Sequence, residues 1–247
     1  VFGSVLALCT IAASGSLVAQ PAASRDSTPV RQSVPAVGLW LATGAITASA
    51  FDGGWERTIQ GTGPQSSTTL RSAARFGNSW GSPGAIVAAG ALWLNGRLFH
   101  DSTRARIGGR ALEALALSGT VTGGIKGLAG RARPFADPSG PASWAFARGI
   151  HDARYQSFPS GHATAAFAFA SAITAQLDRD RSPLARWAGP VLYSLAAVTA
   201  FARTYNNKHW ASDVIAGAGV GTLSGLAVVR WHEAHAASWI DRVLLGR

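Results

Sequence analysis

Apolar residues gather in six stretches, near 34–51, 84–99, 109–126, 161–177, 186–202 and 211–230. Each is rich in Ala, Leu, Val and Gly and too long for an ordinary strand, so the pattern predicts helices. Pro83, Pro159 and Pro190 fall at or near the starts of three of them, where a missing N–H costs least. Gly-Thr-Gly-Pro at 61–64 predicts an irregular connection. The expected fold class is all-α, a bundle of about six helices. In the last stretch Gly217, Gly221 and Gly225 recur every fourth residue. On a helix they stack on one face and admit a close neighbour. No strand precedes this run, which argues against a nucleotide loop.

The polar breaks set the domain limits. Residues 5–19 read as the apolar part of a signal peptide, and Ala19 before Gln20 is a small-residue cleavage position. Residues 1–19 are therefore expected to be a signal peptide, 20–33 a linker, and 34–247 one helical domain. Cys9 is the single cysteine, so no internal disulfide forms.

Composition adds two constraints. Hydrophobic residues make up 47% of the chain, charged residues 14%, and mean hydropathy is +0.16. Both a tightly packed helical globule and a short-helix membrane protein remain open. The net charge of +10 would suit nucleic acid, anionic lipid or a phosphorylated substrate. The cations come in ones and twos between apolar stretches rather than in a basic stripe beside aromatics, which argues against nucleic acid.

Three motifs carry chemistry. The first is Lys126-x6-Arg133-Pro134. Its two cations are seven residues apart, close to two helical turns, and are expected on one side of a helix that Pro134 ends. The second, Ser157-Phe-Pro-Ser160-Gly161-His162, opens the fourth stretch. Ser160 is a natural N-cap, and a helix start with a glycine suits a phosphate oxygen. The third is Arg203-x5-His209-x3-Asp213. A carboxylate four residues after a histidine shares its helix face, fixes its tautomer and raises its basicity. Taken singly, each motif also fits a plain role: a basic helix end, an N-cap, a surface ion pair. In an up-down bundle, however, all three meet at the same end, and a histidine so placed can attack phosphorus.

This order of motifs resembles the type 2 phosphatidic acid phosphatase and vanadium haloperoxidase superfamily, over roughly residues 84–230. Ala202 stands where that pattern usually has Ser. The resemblance implies a phosphoric ester hydrolase acting through a phosphohistidine. His209 would be the nucleophile and Asp213 would orient it. His162 would protonate the leaving oxygen and then activate water. Lys126, Arg133, Arg203, Ser160 and Gly161 would hold the phosphoryl group. No metal or other cofactor is expected. The substrate would be a lipid phosphate or another phosphomonoester or diphosphate.

Two alternatives stand beside this reading. One is a vanadate-dependent haloperoxidase using the same residues with His209 as ligand; the other is a non-catalytic envelope protein that binds phospholipid. His232 and His235 are close enough for one metal but are expected at a solvated helix end. Trp144, Phe146 and Phe158 are expected either at a lipid-side entrance or in packing. The expected location is the cell envelope of a bacterial-type cell: exported, periplasmic or membrane-associated, with the site facing the periplasm. Oligomeric state is not legible.

Overall fold

The computed structural model describes residues 34–137, 140–235 and 238–245. The expected signal peptide at 1–19 and linker at 20–33 lie outside them. Among the described residues the secondary structure is helical, apart from one isolated bridge between Arg131 and Trp144. The helices are α1 (Val34–Ser49), α2 (Asp52–Ile59), α3 (Thr62–Ser66), α4 (Thr68–Ser79), α5 (Ala85–Leu98), α6 (Ser102–Ala129), α7 (Gly161–Arg179), α8 (Ala185–Tyr205), α9 (Ala211–Ala234) and α10 (Trp239–Leu245). The six apolar stretches are α1 and α5 to α9.

Two differences from the sequence expectation have clear causes. Helix α6 begins seven residues earlier than its apolar pattern, at Ser102. Asp101 caps it by accepting the N–H groups of Thr103 and Arg104 at 3.0 and 2.9 Å, and the added turns carry Arg104 and Arg106, which the apolar pattern cannot register. Residues 52–79, outside the six apolar stretches, form three helices, and the irregular connection expected at 61–64 is largely taken up by α3. Ser67 caps α4 through its hydroxyl, and α4 lies on α8, with Gly77 against the Val198 carbonyl.

Helices α7 and α9 form the centre. A Cβ on Gly217 would lie 2.6 Å from the Ser160 oxygen, on Gly221 2.3 Å from the Thr164 oxygen, and on Gly225 2.7 Å from the Ala172 nitrogen. The glycine stripe therefore lets α9 rest backbone to backbone on α7. Alanines fill most of the remaining core, with Phe167, Phe169 and Ile173 of α7 as the larger members. Helix α9 is long and apolar enough to cross a bilayer, yet 61% of its most apolar window is buried against other helices. Outward-facing apolar side chains include Val87, Leu94 and Leu98 on α5 and Leu117, Val121 and Leu128 on α6.

The bundle has two polar ends. At one, α6 finishes and α7 and α9 begin. At the other, Arg106 pairs with Asp180 at 3.0 Å, and a buried cluster joins α6, α9 and α10. In that cluster His232 Nε2 lies 2.7 Å from Glu113 Oε2 and Nδ1 lies 3.3 Å from Asp241 Oδ2, while Arg110 pairs with both carboxylates. The solvated helix end expected for His232 is corrected here: docking of α10 buries it. His235 remains exposed and stacks on Trp231.

Candidate active site

The first motif is split by a helix end. Helix α6 stops at Ala129, and Gly130 takes the left-handed conformation (φ 59°) that a glycine adopts without strain. Lys126 thus stays on α6, while Arg133 lies in the loop beyond it, so the expected single helical face is corrected. The two still converge, because Arg133 and Arg203 both act on Lys126 electrostatically. Lys126 Nζ donates to the Gln156 carbonyl at 2.6 Å. Arg133 Nε donates to the Ala153 carbonyl at 3.1 Å and Nη1 to the Lys208 carbonyl at 3.3 Å.

The second motif opens α7. Ser160 occupies the N-cap position, but its side chain caps nothing; its buried hydroxyl has no partner among the described residues. That departs from the N-cap expectation and leaves a donor for a ligand oxygen. Lys126, Gly161 and His162 share the wall of a cavity of about 290 Å³, with Ser118 and Thr122 on its polar side and Ile86 and Leu115 on its apolar side. Gly81 lies against His162: a Cβ there would stand 2.7 Å from the imidazole Cδ2.

The third motif spans the turn from α8 to α9. Arg203 ends α8, buried, with Nη1 hydrogen-bonded to Asn78 Oδ1 of α4. His209 is buried and its Nδ1 donates to the Ser157 carbonyl at 2.7 Å. Asp213 Oδ2 stands 3.7 Å from the same nitrogen, too far for a hydrogen bond. The tautomer is therefore set by the Ser157 carbonyl, and the carboxylate acts as a nearby charge. Nε2 has no partner among the described residues and is the unprotonated nitrogen.

Asp213 is itself held from three sides. Its oxygens accept from Arg131 Nη1 at 2.6 Å, from the Trp210 N–H at 2.9 Å, and from the Ser157 hydroxyl. Arg131 continues to Asp52 of α2 at 2.7 Å, and Asp52 accepts from the Ser212 N–H and hydroxyl at 2.8 and 2.6 Å. Sequence reasoning missed Asp52, Arg131 and Ser157. Arg131 and Ser157 lie inside the quoted motifs but looked like spacers. Asp52 had no sequence signal, since buried pairing of an acid with an arginine 79 residues away leaves no periodic trace.

Burial and the surrounding cations set the protonation states. The Lys126 pKa falls from 10.5 to about 7, through burial first and then Arg133. Burial, with Arg203, Lys126 and Arg133, lowers that of His162 to about 4. Burial lowers that of His209 to about 3 against the opposing pull of Asp213. Burial raises that of Asp213, but His209, Arg131 and Ser157 outweigh it and hold the carboxyl below its ordinary value. Arg203 falls to about 10 by burial and by Arg133. The site is thus a neutral imidazole, an anchored carboxylate and a cluster of crowded cations. Such a cluster is short of negative charge until an anion arrives.

The aromatic residues beside the site divide. Trp144 packs edge-on against Phe158 at 5.4 Å and takes the Arg131 guanidinium over its ring at 4.9 Å. Phe146 is 84% exposed. Ala202 is buried where α4 meets α8, 3.0 Å from a Cβ placed on Gly77.

Over 136 residues the chain is 35% identical to a lipid A 1-phosphatase of Porphyromonas gingivalis. The match covers 53% of this chain and 26% of that protein, so the chain spans about a quarter of its relative's length. No solved structure matches the chain. The pattern of the PAP2 superfamily matches residues 108–237. That stretch takes in all three motifs and more than half of the sequence, and the chain belongs to the PAP2 superfamily.

Proposed function

We propose that this chain hydrolyses phosphate esters by transferring the phosphoryl group to His209, and that its substrate is a lipid phosphate. The observation that carries the reading is the state of His209: neutral, its Nδ1–H tied to the Ser157 carbonyl at 2.7 Å, its Nε2 without a partner. Nε2 attacks phosphorus while the ester P–O bond breaks. The imidazole becomes cationic, and the Ser157 carbonyl and the Asp213 charge stabilise it. His162 gives a proton to the departing alkoxide. It then takes one from the water that attacks phosphorus and releases Nε2. His162 is neutral in the free site; a bound phosphate offsets Lys126, Arg133 and Arg203 and raises its pKa.

The same three cations, with the Ser160 hydroxyl and the start of α7, neutralise the transferring group. The nearest carboxylates, Asp52 and Asp213, are engaged by Arg131, Trp210 and Ser212. Catalysis is therefore proposed to need no metal. The mixed lining of the Lys126–His162 cavity, and the lipid A 1-phosphatase relative, favour an amphiphilic phosphate. The apolar faces of α5 and α6 favour an envelope enzyme associated with a membrane, its site toward the periplasm.

The test is turnover of phosphatidate, a polyprenyl diphosphate and p-nitrophenyl phosphate by the purified protein, with and without EDTA. Acid quench of labelled substrate should trap phosphate on His209. Hydrolysis that survives EDTA and vanishes in His209→Ala is expected. Unchanged turnover in His209→Ala sinks the mechanism, and bromination that appears only with added vanadate would favour a haloperoxidase.

A further inference from the structure

Beside the candidate site lies a second cavity, of about 520 Å³, which shares only Arg203 with the proposed chemistry. Its walls are Arg75, Asn78 and Ser79 of α4 and Arg203, Asn206 and Lys208 of the α8–α9 turn. Every one of these residues is polar, half are cationic and none is acidic. That volume is in the range of small-molecule pockets, about 300–1,000 Å³, and far exceeds what one phosphoryl group fills.

None of the cavity's three cations has a carboxylate partner among the described residues. Arg75 has no hydrogen bond or ion pair among the described residues. Lys208 Nζ stands over the Phe135 ring at 4.7 Å, with no carboxylate partner among the described residues. Arg203 relates this cavity to the candidate site. It is only 8% exposed and lines the second cavity, while His162 and Lys126 in the wall of the first feel its charge. One nitrogen is held by Asn78, but its buried Nε has no partner among the described residues. An unmet buried donor is costly unless a ligand completes it. The reacting phosphate already has Lys126, Arg133 and Arg203. Arg75 and Lys208 are surplus to it.

We propose that this cavity binds a second phosphate group carried by the same substrate molecule, so that the favoured substrates are esters bearing two phosphates. Arg75 and Lys208 are the specificity residues, and Arg203 is shared between the reacting and the anchoring phosphate. The inference rests on the phosphatase reading for the reacting group and adds the nature of the rest of the substrate.

The experiment compares fructose 1,6-bisphosphate with fructose 6-phosphate and p-nitrophenyl phosphate, in the full chain and in Arg75→Gln/Lys208→Gln. Both turnover and binding by calorimetry are measured. In the double variant, KM and Kd for the bisphosphate should rise about tenfold, as expected for losing two partly screened charged contacts. Monophosphate values should change less than twofold. Arg75→Lys/Lys208→Arg should restore the bisphosphate preference. An equal loss for mono- and bisphosphates would mean general attraction of anions and overturn the subsite. So would phosphate acting on p-nitrophenyl phosphate hydrolysis as a non-competitive inhibitor that the double variant abolishes, because the cavity would then hold free phosphate. A wild-type chain that binds the bisphosphate through Arg75 and Lys208 but hydrolyses nothing would refute the phosphatase reading and leave the subsite standing.

Discussion

Arg131 Nη1 lies 2.6 Å from Asp213 Oδ1, and both side chains are shut off from solvent. The pair joins the loop after α6 to the first turn of α9. Through Asp52 at 2.7 Å it also reaches α2, which lies outside the stretch that matches the superfamily. Two buried acids thus share one guanidinium, whose remaining N–H groups go to the Pro141 carbonyl and the Ser212 hydroxyl. The carboxylate beside His209 is fixed in place by residues that line neither cavity.

Removing that guanidinium should cost stability before it costs chemistry. Arg131→Gln leaves two buried carboxylates without their cation, and breaking such a pair typically costs about 3–5 kcal/mol. A large fall in Tm is expected, with kcat reduced in whatever protein stays folded. Asp52→Asn keeps the shape and removes one charge, so its Tm should fall less. Equal Tm values for wild type and Arg131→Gln in thermal melts would show that the network does not hold the fold.

Asp213→Asn should be milder than loss of the carboxylate in a serine-protease triad. There the histidine tautomer is lost and kcat falls about 10⁴-fold. Here the Ser157 carbonyl at 2.7 Å keeps the proton on Nδ1. A fall of about 10²-fold is expected, from losing the charge that steadies the imidazolium. Single-turnover rates on p-nitrophenyl phosphate would decide it, and a loss as deep as that of His209→Ala would assign Asp213 the tautomer as well.

The pH dependence follows from the lowered pKa values. In the proposed mechanism His209 must be neutral to attack, so activity should be lost as pH falls through about 3. In the same proposal Lys126 must be charged to hold phosphate, and that charge is present below about 7 and lost above it. His162 in the free enzyme carries its proton only below about 4. The free-enzyme kcat/KM should therefore peak in acid and fall more steeply once pH passes the Lys126 value. Because a bound dianion raises the Lys126 pKa, vanadate binding at pH 8 should take up a proton. Calorimetry in buffers of different ionisation enthalpy measures that uptake, and Lys126→Met should reduce it.

The sequence disclosed the helices whose apolar pattern survives on the surface of the chain, and the residues whose chemistry is unusual in a row. Lys126, Arg133, His162, Arg203 and His209 all reach one end of the bundle by that logic. It could not disclose features made by the fold alone. Gly130 breaks the spacing between Lys126 and Arg133 with one left-handed residue. Ser160 has cap backbone geometry but a free hydroxyl. Asp52 and Arg131 gain meaning only when α2 closes over the start of α9. Residues 52–79 lacked an apolar run because they are short, half-exposed helices, and propensity is a weak guide there.

The glycine stripe makes a sharp contrast possible. Gly221→Ala would put a Cβ 2.3 Å from the Thr164 carbonyl oxygen, forcing α7 and α9 apart at their centre. Overpacking of this kind costs about 1–3 kcal/mol or more. Gly90→Ala on α5 meets nothing within 4 Å and should stabilise the helix by up to about 1 kcal/mol. Chemical denaturation of the two variants should shift the midpoint in opposite directions. A shared direction would mean that the α7–α9 contact is looser than backbone against backbone.

The cluster at the far end should govern stability without touching chemistry. His232 bridges Glu113 at 2.7 Å and Asp241 at 3.3 Å, which fastens α10 across α6 and α9. Along α6, Glu113 is separated from Lys126 by about 20 Å of helix at 1.5 Å per residue. His232→Ala removes the imidazole between Glu113 and Asp241 and leaves both carboxylates to Arg110 alone, so a loss of about 1–3 kcal/mol is expected. Proteolysis before Trp239 should become faster, while kcat and KM on p-nitrophenyl phosphate stay within twofold below the melting transition. Turnover that collapses while Tm is unchanged would mean the two ends of the bundle are coupled, and that α10 does more than close the core.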